Sequence, residues 1–170
     1  MLQEEGLFDE YRDVVRPEWI DYNGHLNVGY YALVFDYASD AFLDALGLDA
    51  PGRERMGATT FALESHLTYQ REVVEAEKLR FTTHLLDFDQ KRIHYFHTMI
   101  RERDGEISAT NELVSLYVSI ETRRSTPFHP EVLDRLREFS ENHSAHPRPP
   151  EVGQVIGLSG KKNAKRLEST

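Results

Sequence analysis

The sequence predicts an α+β fold in which a curved antiparallel β-sheet wraps around one long central α-helix. Between residues 28 and 46 the apolar side chains recur every three or four positions, which is typical of one face of a helix about five turns long. From residue 61 to residue 120 the apolar period falls to two, and short turns interrupt the pattern. Strands joined by short turns run antiparallel, and one long helix can cover one face of such a sheet. The alternative is another α+β fold with helices on one face of a sheet.

The individual elements follow from local patterning. A first strand is predicted at residues 11–20, and Pro17 restricts it to an edge or an end of the sheet. Gly47 suits the left-handed conformation that ends many helices, and a loop rich in Gly, Pro and Arg follows it. Asp104–Gly105 is a strong hairpin turn. The four later strands are predicted at residues 61–69, 78–88, 92–103 and 107–120.

The chain of 170 residues is most simply one domain that buries a single core. The sheet and its helix are expected to occupy residues 8–128 as a hot-dog-like domain. A short helix at residues 129–141 opens on Pro130, which fits a first helical turn. Residues 142–170 are expected to be irregular and partly mobile, with a short extended segment at residues 152–158.

Composition excludes several classes of function. There are no cysteines, so disulfides, thiol catalysis and thiolate metal sites are excluded, which fits a cytoplasmic protein. No apolar run approaches the roughly 18 residues of a membrane span, and the acidic N-terminus does not resemble a signal peptide. The formal net charge is −9, and the one dense basic run, KKNAKR at residues 161–166, reads as a solvated tail. We therefore expect neither a membrane nor a nucleic acid as a partner.

The stretch WIDYNGHLNVGYY at residues 19–31 places a polar turn directly before the long helix. Asn27 suits the N-cap, where its side chain would accept from the amide of Gly29 or Tyr30. Asp21 has two open interpretations. Its carboxylate could simply interact favourably with the helix dipole, or it could be a catalytic group.

The same turn is suited to chemistry at a thioester. The first amides of a helix lack acceptors within the helix, so Val28, Gly29 and Tyr30 are predicted to point theirs at a ligand. Such amides would stabilise the negative oxygen that forms when a thioester carbonyl is attacked. Gly29 would let a ligand approach the backbone closely. Asp21 could activate water or attack the carbonyl directly, and the sequence does not choose between these roles.

The motif DYNGHLNVGYY followed by a long helix resembles the acyl-CoA thioesterases of the 4-hydroxybenzoyl-CoA thioesterase type, within the hot-dog superfamily. Longer stretches are more similar still to betainyl-CoA thioesterases, which belong to carnitine breakdown and are sometimes fused to carnitine dehydrogenase. The resemblance covers about residues 11–126, and no dehydrogenase portion is present. The stretches that carry it are VRPEWIDYNGHLNVGYYALVFDYASDAFLDALGL, FALESHLTYQREV and KRIHYFHTMI…ATNELVSLYVSIETRRSTPF.

This resemblance implies roles for several residues. Asp21 corresponds to the catalytic carboxylate, His25 and Asn27 match the motif's Gly-His and helix-opening positions, and the amides of residues 28–30 would form the oxyanion hole. It also implies a homodimer or tetramer that binds acyl-CoA at the subunit interface. No metal or other cofactor is expected, because coenzyme A enters as part of the substrate.

Further candidates are weighed against structural explanations. Glu64 is the second catalytic candidate, although carboxylates on half-buried strands are often only solvated. Aromatic rings near the turn could surround a trimethylammonium group by cation–π attraction, or they could be core residues. These rings are Trp19, Tyr22, Tyr30, Tyr31 and Tyr69. Basic residues at predicted strand ends could hold the coenzyme A phosphates, or they could be ordinary surface charges. They are Arg71, Lys91, Arg92, Arg123 and Arg124.

The four histidines on predicted strands are expected to be structural, because their spacing matches no metal-binding motif. They are His66, His84, His94 and His97. The principal hypothesis is hydrolysis of a small acyl-CoA, with betainyl, 4-hydroxybenzoyl or a short aliphatic group as the acyl part. The alternatives are a thioesterase acting on acyl-carrier protein and a non-catalytic acyl-CoA-binding module.

Overall fold

A computed structural model describes residues 6–157 and confirms the predicted α+β architecture. One five-stranded sheet, entirely antiparallel, has the strand order β1-β3-β4-β5-β2. The strands are β1 Phe8–Val14, β2 Ala58–Tyr69, β3 Lys78–Phe88, β4 Arg92–Arg101 and β5 Ile107–Ser119. The helices are α1 Val28–Leu43, α2 Ala50–Met56 and α3 Pro130–His143, with a 3₁₀ turn at Pro17–Trp19.

Helix α1 buries the face that its apolar spacing predicts, and its side chains contribute to two apolar clusters. The first cluster, near the start of α1, includes Phe35, Phe81 and Met99. The second, near the end of α1, includes Phe42 and Tyr95. Side chains from α3 complete the second cluster, so the two ends of the helix are packed by different parts of the chain.

His97 lies on β4 facing α1, fully buried, with both ring nitrogens in hydrogen bonds. Ser39 Oγ of α1 is 2.9 Å from Nε2, and Thr83 Oγ1 of β3 is 2.9 Å from Nδ1. Burial lowers the pKa of His97 to about 3, so the ring is neutral at ordinary pH. His97 is therefore a structural histidine that joins helix and sheet.

The segment after α1 differs from its prediction. Gly47 adopts the expected left-handed conformation (φ +84°) within the turn that ends the helix. The following residues, predicted to be a loop, form the short helix α2. Asp49 caps α2 by accepting from the Gly52 amide at 3.0 Å, and Pro51 occupies its first turn. Gly, Pro and Arg, taken as loop residues, here serve the start and the last turn of a helix.

Strand β1 also differs from its prediction, because it begins and ends earlier than the expected residues 11–20. Phe8 starts the strand and packs against Phe42 with ring centroids 5.6 Å apart. Pro17 does not end a strand but opens the 3₁₀ turn that carries Trp19 into the core. The charged residues between Phe8 and Val14 obscure the alternation that marks a strand.

Strand β2 forms one edge of the sheet and leaves much of its surface uncovered. Its pairing with β5 is irregular between Ala62 and Glu64, and the Leu63 side chain at this bulge is 56% exposed.

Helix α3 extends to His143, two residues beyond its predicted end. Residues 144–157 contain neither helix nor strand, and residue 158 and the basic run at residues 161–166 lie outside the described residues. None of the helices within residues 6–157 has the length and apolar character needed to span a membrane.

Candidate active site

Asp21 lies in a tight polar loop that closes on itself through hydrogen bonds. The Asp21 amide donates to the His25 carbonyl at 2.9 Å, and the Gly24 amide donates to the Asp21 carbonyl at 3.0 Å. The Asp21 side chain accepts from the Asn23 amide through Oδ1 at 2.8 Å. Oδ2 has only a long contact of 3.5 Å with the Asn23 side-chain amide. The loop thus orients the carboxylate through one oxygen and leaves the other largely free.

Two backbone hydrogen bonds attach this loop to the rest of the fold. The Asn27 amide donates to the Trp19 carbonyl at 2.9 Å, which connects the loop to the 3₁₀ turn. The Leu26 amide donates to the Val73 carbonyl at 2.7 Å, which connects it to the segment after β2. Trp19, Leu26 and Val73 are all buried. The polar turn therefore rests on the apolar cluster at the start of α1.

The start of α1 has fewer free backbone amides than the predicted oxyanion hole requires. Asn27 is the N-cap as predicted, and its Oδ1 accepts from the Gly29 amide at 2.9 Å. The Tyr30 amide donates to the Asn27 carbonyl at 2.9 Å. The expectation that both amides would face a ligand is thus wrong, because the cap residue already uses them. Among the described residues no acceptor is found for the Val28 amide, so this donor remains available.

Asp21 and Val28 line one cleft of about 340 Å³. The loop and the start of α1 form one side of it, and the end of β2 with the segment that follows forms the other. Its lining consists of Asp21, His25, Leu26, Val28, Tyr31, Tyr69, Gln70, Arg71 and Glu72. A carboxylate and a helix-opening residue with an unpaired amide therefore border the same space.

Two tyrosines and a second carboxylate also line the cleft. The Tyr31 and Tyr69 rings are 5.1 Å apart at 82°, and burial raises the pKa of Tyr31 to about 12, so its phenol stays protonated. Glu72 Oε2 is 2.9 Å from His25 Nε2. The Arg71 guanidinium is 2.7 Å from Glu106, which compensates its positive charge. Asp21 and Glu72 consequently give the cleft an anionic character.

Other predicted site residues lie elsewhere in the single chain. Trp19 is buried, with the Arg16 guanidinium 4.5 Å from its ring and Tyr30 stacked on it at 5.7 Å. Tyr22 is 97% exposed. Glu64 lines a separate cavity on the outer face of the sheet. Arg92 forms an ion pair with Asp89 at 2.6 Å beside a third cavity. The lining of the Asp21 cleft includes none of these five predicted residues, Trp19, Tyr22, Tyr30, Glu64 and Arg92.

Sequence reasoning overlooked Glu72 and Gln70 as cleft residues. Both follow β2 in an exposed segment without hydrophobic periodicity, so no local pattern marks them. The available signal was their position directly after Tyr69 and Arg71, two residues already singled out. Contact between Glu72 and His25 joins positions 47 apart in the chain and depends on the tertiary fold.

Comparisons with known proteins identify the family of this chain. A family model for the thioesterase-like superfamily matches residues 15–136. The betainyl-CoA thioesterase of Pseudomonas aeruginosa is 44% identical over 148 residues, which are 87% of this chain and 93% of that protein. The L-carnitine dehydrogenase/betainyl-CoA thioesterase of Rhizobium meliloti is 32% identical over 84% of this chain, but the match spans only 29% of that longer protein.

A solved structure has the same architecture. It is a hypothetical protein of Staphylococcus aureus determined in complex with CoA, and it superposes with a TM-score of 0.84. It is 30% identical in sequence, and the match covers 90% of this chain and 96% of that one. The family model, the relatives and this shared fold lead to one conclusion. The chain belongs to the thioesterase-like superfamily and is a hot-dog-fold thioesterase, a hydrolase of thioesters.

Proposed function

We propose that this thioesterase hydrolyses acyl-CoA with Asp21 as the catalytic carboxylate, and that the acyl group is betainyl. The main support is the shared cleft of Asp21 and the unpaired Val28 amide. The relative from Pseudomonas aeruginosa, named for betainyl-CoA, supports the choice of substrate. The reaction yields betaine and coenzyme A and needs no metal or other cofactor. A cytoplasmic location is part of this proposal, since a chain without cysteine requires no oxidising compartment.

In the general-base form of the mechanism, the Asp21 carboxylate takes a proton from water as the oxygen attacks the thioester carbonyl. The tetrahedral intermediate then expels the coenzyme A thiolate, which receives the proton from Asp21. In the nucleophilic form, Asp21 attacks the carbonyl itself, the thiolate leaves, and water hydrolyses the resulting mixed anhydride. Both forms require one carboxylate oxygen directed into the cleft, and Oδ2 has the fewer internal hydrogen bonds.

The carbonyl oxygen gains negative charge in either mechanism. In our proposal the Val28 amide donates to it, aided by the positive end of the α1 dipole. The Asn27 cap supports this function indirectly by occupying the next two amides and fixing the first turn. His25, held by Glu72, supports the loop that presents Asp21.

The composition of the cleft fits a cationic acyl group. The perpendicular Tyr31 and Tyr69 rings offer π surfaces, which attract a quaternary ammonium by about 0.5–2 kcal/mol. Glu72 adds a negative charge that a trimethylammonium would partly balance. Trp19 and Tyr30, which the sequence also suggested for such a cage, stack on each other and are less suited to it.

The first experiment tests recognition of the cation with a matched pair of substrates. Betainyl-CoA and 3,3-dimethylbutanoyl-CoA have the same shape, but only the first carries a charge. Wild-type protein should hydrolyse betainyl-CoA with the higher kcat/KM. Glu72→Gln should lower kcat/KM about tenfold for the betainyl ester and much less for the neutral one, as expected for a lost ionic contact of about 1.4 kcal/mol.

Glu75→Gln is the matched control, because Glu75 is exposed and does not line the cleft. It should leave the ratio of the two kcat/KM values unchanged. Equal hydrolysis of the two esters by wild-type protein would rule out betainyl as the preferred acyl group. Such a result would concern only the acyl group, because the role of Asp21 in hydrolysis is tested by a separate experiment.

The second experiment tests Asp21 itself. Asp21→Asn keeps an oxygen that can accept from the Asn23 amide but removes the carboxylate. We expect kcat to fall by 10²–10⁴-fold, the usual contribution of a general base, with an unchanged circular dichroism spectrum. Release of coenzyme A, followed with a thiol reagent, provides the assay. Full activity in this variant would exclude Asp21 as the catalytic group.

We also propose that the enzyme works as a homodimer or a higher assembly joined through β2. This strand is an edge with unpaired backbone groups and the exposed Leu63 side chain, features that favour pairing with a second strand. Glu64 lies on the same strand, so in such a dimer it would be at the interface. Glu64 and Arg92 therefore remain candidates for contact with substrate across the interface.

A further inference from the structure

A second polar cavity, of about 260 Å³, lies between β3, α3 and the residues after α3. Its polar lining consists of His84, Ser140, His143, Ser144, His146 and Arg148, and we call it the histidine pocket. Within residues 6–157 none of its lining residues is acidic, although the chain as a whole carries a net charge of −9. The pocket adjoins β3, three strands away from β2 in the sheet, and shares no lining residue with the Asp21 cleft.

His143, in the last turn of α3, is the central residue of this pocket. Its Nδ1 accepts a hydrogen bond from the Leu85 amide at 2.9 Å. Strand β1 pairs with β3 only as far as Thr83, so His143 takes a partner's place on the β3 edge beyond it. A ring nitrogen that accepts carries no proton, so the proton of the neutral ring lies on Nε2.

The Nε2 atom of His143 is buried and has no hydrogen-bond partner among the described residues. His143 itself is only 1% exposed. A buried N–H donor normally has an acceptor, and this one borders a cavity. This N–H is therefore in a position to donate to a group with acceptor oxygens in the pocket.

The neighbours of His143 supply further donors. The His84 ring centroid is 5.7 Å from that of His143 and 6.1 Å from that of His146, and both pairs meet nearly edge-on. Arg148 forms no ion pair within residues 6–157, so its guanidinium has bonding capacity to spare. Burial and the positive neighbours lower the pKa of His84, and the same causes lower that of His143 to about 4. A bound anion would raise the pKa values of both rings again, because it favours their protonated forms.

We propose that the histidine pocket binds a phosphate-type oxyanion, held by His143 Nε2–H, His84, His146 and the Arg148 guanidinium. An anion with several oxygens can accept from all four donors, and charge-assisted bonds to arginine favour phosphate. The cavity has space for such an anion together with several water molecules, each of which takes about 30 Å³. The anion is either free phosphate or the 3′-phosphate of coenzyme A.

The test uses full-length protein with isotopically labelled histidine, titrated with inorganic phosphate at constant pH and ionic strength. Saturable shifts of the His84 and His143 ring signals are expected, together with higher pKa values for both rings. Arg148→Gln should weaken binding about tenfold, consistent with loss of one charge-assisted hydrogen bond. Arg137→Gln is the matched control, because Arg137 is an exposed arginine of α3 paired with Asp134, and it should change nothing.

The source of the anion is distinguished by comparing coenzyme A with dephospho-coenzyme A. Shifts of the same ring signals with coenzyme A but not with dephospho-coenzyme A would identify the 3′-phosphate as the ligand. Shifts with inorganic phosphate alone would identify the free anion. Absence of saturable shifts with all three ligands, or equal affinity in wild-type and Arg148→Gln proteins, would overturn the proposal. Activity of the Asp21 cleft does not enter these measurements.

Discussion

Gly29 illustrates how the fold and the reaction can place different demands on one residue. It lies in the first turn of α1, exposed, where glycine is less favourable than alanine by up to about 1 kcal/mol. A β-carbon at this position would meet only Asn27 Oδ1, at an ordinary distance of 3.5 Å. The fold therefore does not require glycine. What glycine does provide is an uncovered backbone beside the free Val28 amide.

We predict that Gly29→Ala separates these two demands. The free energy of unfolding should stay the same or rise by up to about 1 kcal/mol, whereas kcat/KM for acyl-CoA should fall because the methyl group hinders the approach of the carbonyl. Urea denaturation and steady-state kinetics measure the two effects. Ala32→Gly, exposed in the next turn, should show the reverse pattern of lower stability and normal kinetics. Unchanged kinetics in Gly29→Ala would show that a methyl group at residue 29 does not hinder the approach of the substrate carbonyl.

At the residue scale, the sequence predicts what depends on near neighbours. The Asn27 cap and the left-handed Gly47 both follow from local chemistry, and both predictions are confirmed. The sequence predicted that the cap would occupy the amide of Gly29 or Tyr30, but not that both would be paired, because the Tyr30 amide bonds to the Asn27 carbonyl and not to its side chain. Glu72 was missed because its contact with His25 requires β2 to return beside the loop.

Among the elements, α1, β3 and β4 are joined by two buried hydrogen bonds of one histidine. The His97 ring forms hydrogen bonds with Ser39 and Thr83. Burial lowers its pKa to about 3, so the ring stays neutral. In the unfolded chain a histidine protonates near pH 6.5. Between these two pH values the unfolded state binds more protons, so acidification favours unfolding.

We predict that this histidine contributes to acid sensitivity. Its contribution to stability is complete above about pH 6.5 and is lost as the pH falls toward 3, with a slope of at most about 1.4 kcal/mol per pH unit. His97→Gln should be less stable than wild type at pH 7, and this difference should shrink at pH 5 and pH 4. Urea midpoints at the three pH values provide the measurement. A difference independent of pH would show that His97 is not held neutral.

The elements themselves were predictable where periodicity was strong. Helix α1 and strand β3 begin at their predicted residues, because their apolar spacing is regular. Helix α2 was missed because seven residues, APGRERM, are too few to show a period and contain Pro and Gly. Strand β1 was shifted because charged residues dominate FDEYRDV, and only tertiary contacts such as Phe8 with Phe42 fix its start.

For the molecule as a whole, the surface of β2 is the feature that a single chain does not explain. Leu63 and Tyr69 are both at least half exposed on this edge strand, and Tyr69 also lines the Asp21 cleft. Sequence periodicity indicates that a strand exists, but it does not say whether its second face meets solvent or another chain. The roles of Glu64 and Arg92 depend on that same choice.

We predict that Leu63→Arg weakens self-association and lowers activity together, because it places a charge on the edge proposed to pair. Analytical ultracentrifugation should show a shift toward monomer, with kcat/KM falling in proportion. Val14→Arg, at a position 46% exposed on β1 at the opposite edge of the sheet, is the matched control and should change neither. A wild-type protein that is monomeric at assay concentration and fully active would contradict the proposed dimer.

The division of the interior into two apolar clusters has a consequence for how such enzymes diversify. The cluster that supports the Asp21 loop includes Val73 and Leu26, whereas the cluster at the far end of α1 depends on Leu136 and other α3 residues. Substitutions around the Asp21 cleft can accumulate while the second cluster continues to hold the molecule together. Related enzymes could in this way acquire new acyl preferences without rebuilding the part of the protein that secures folding.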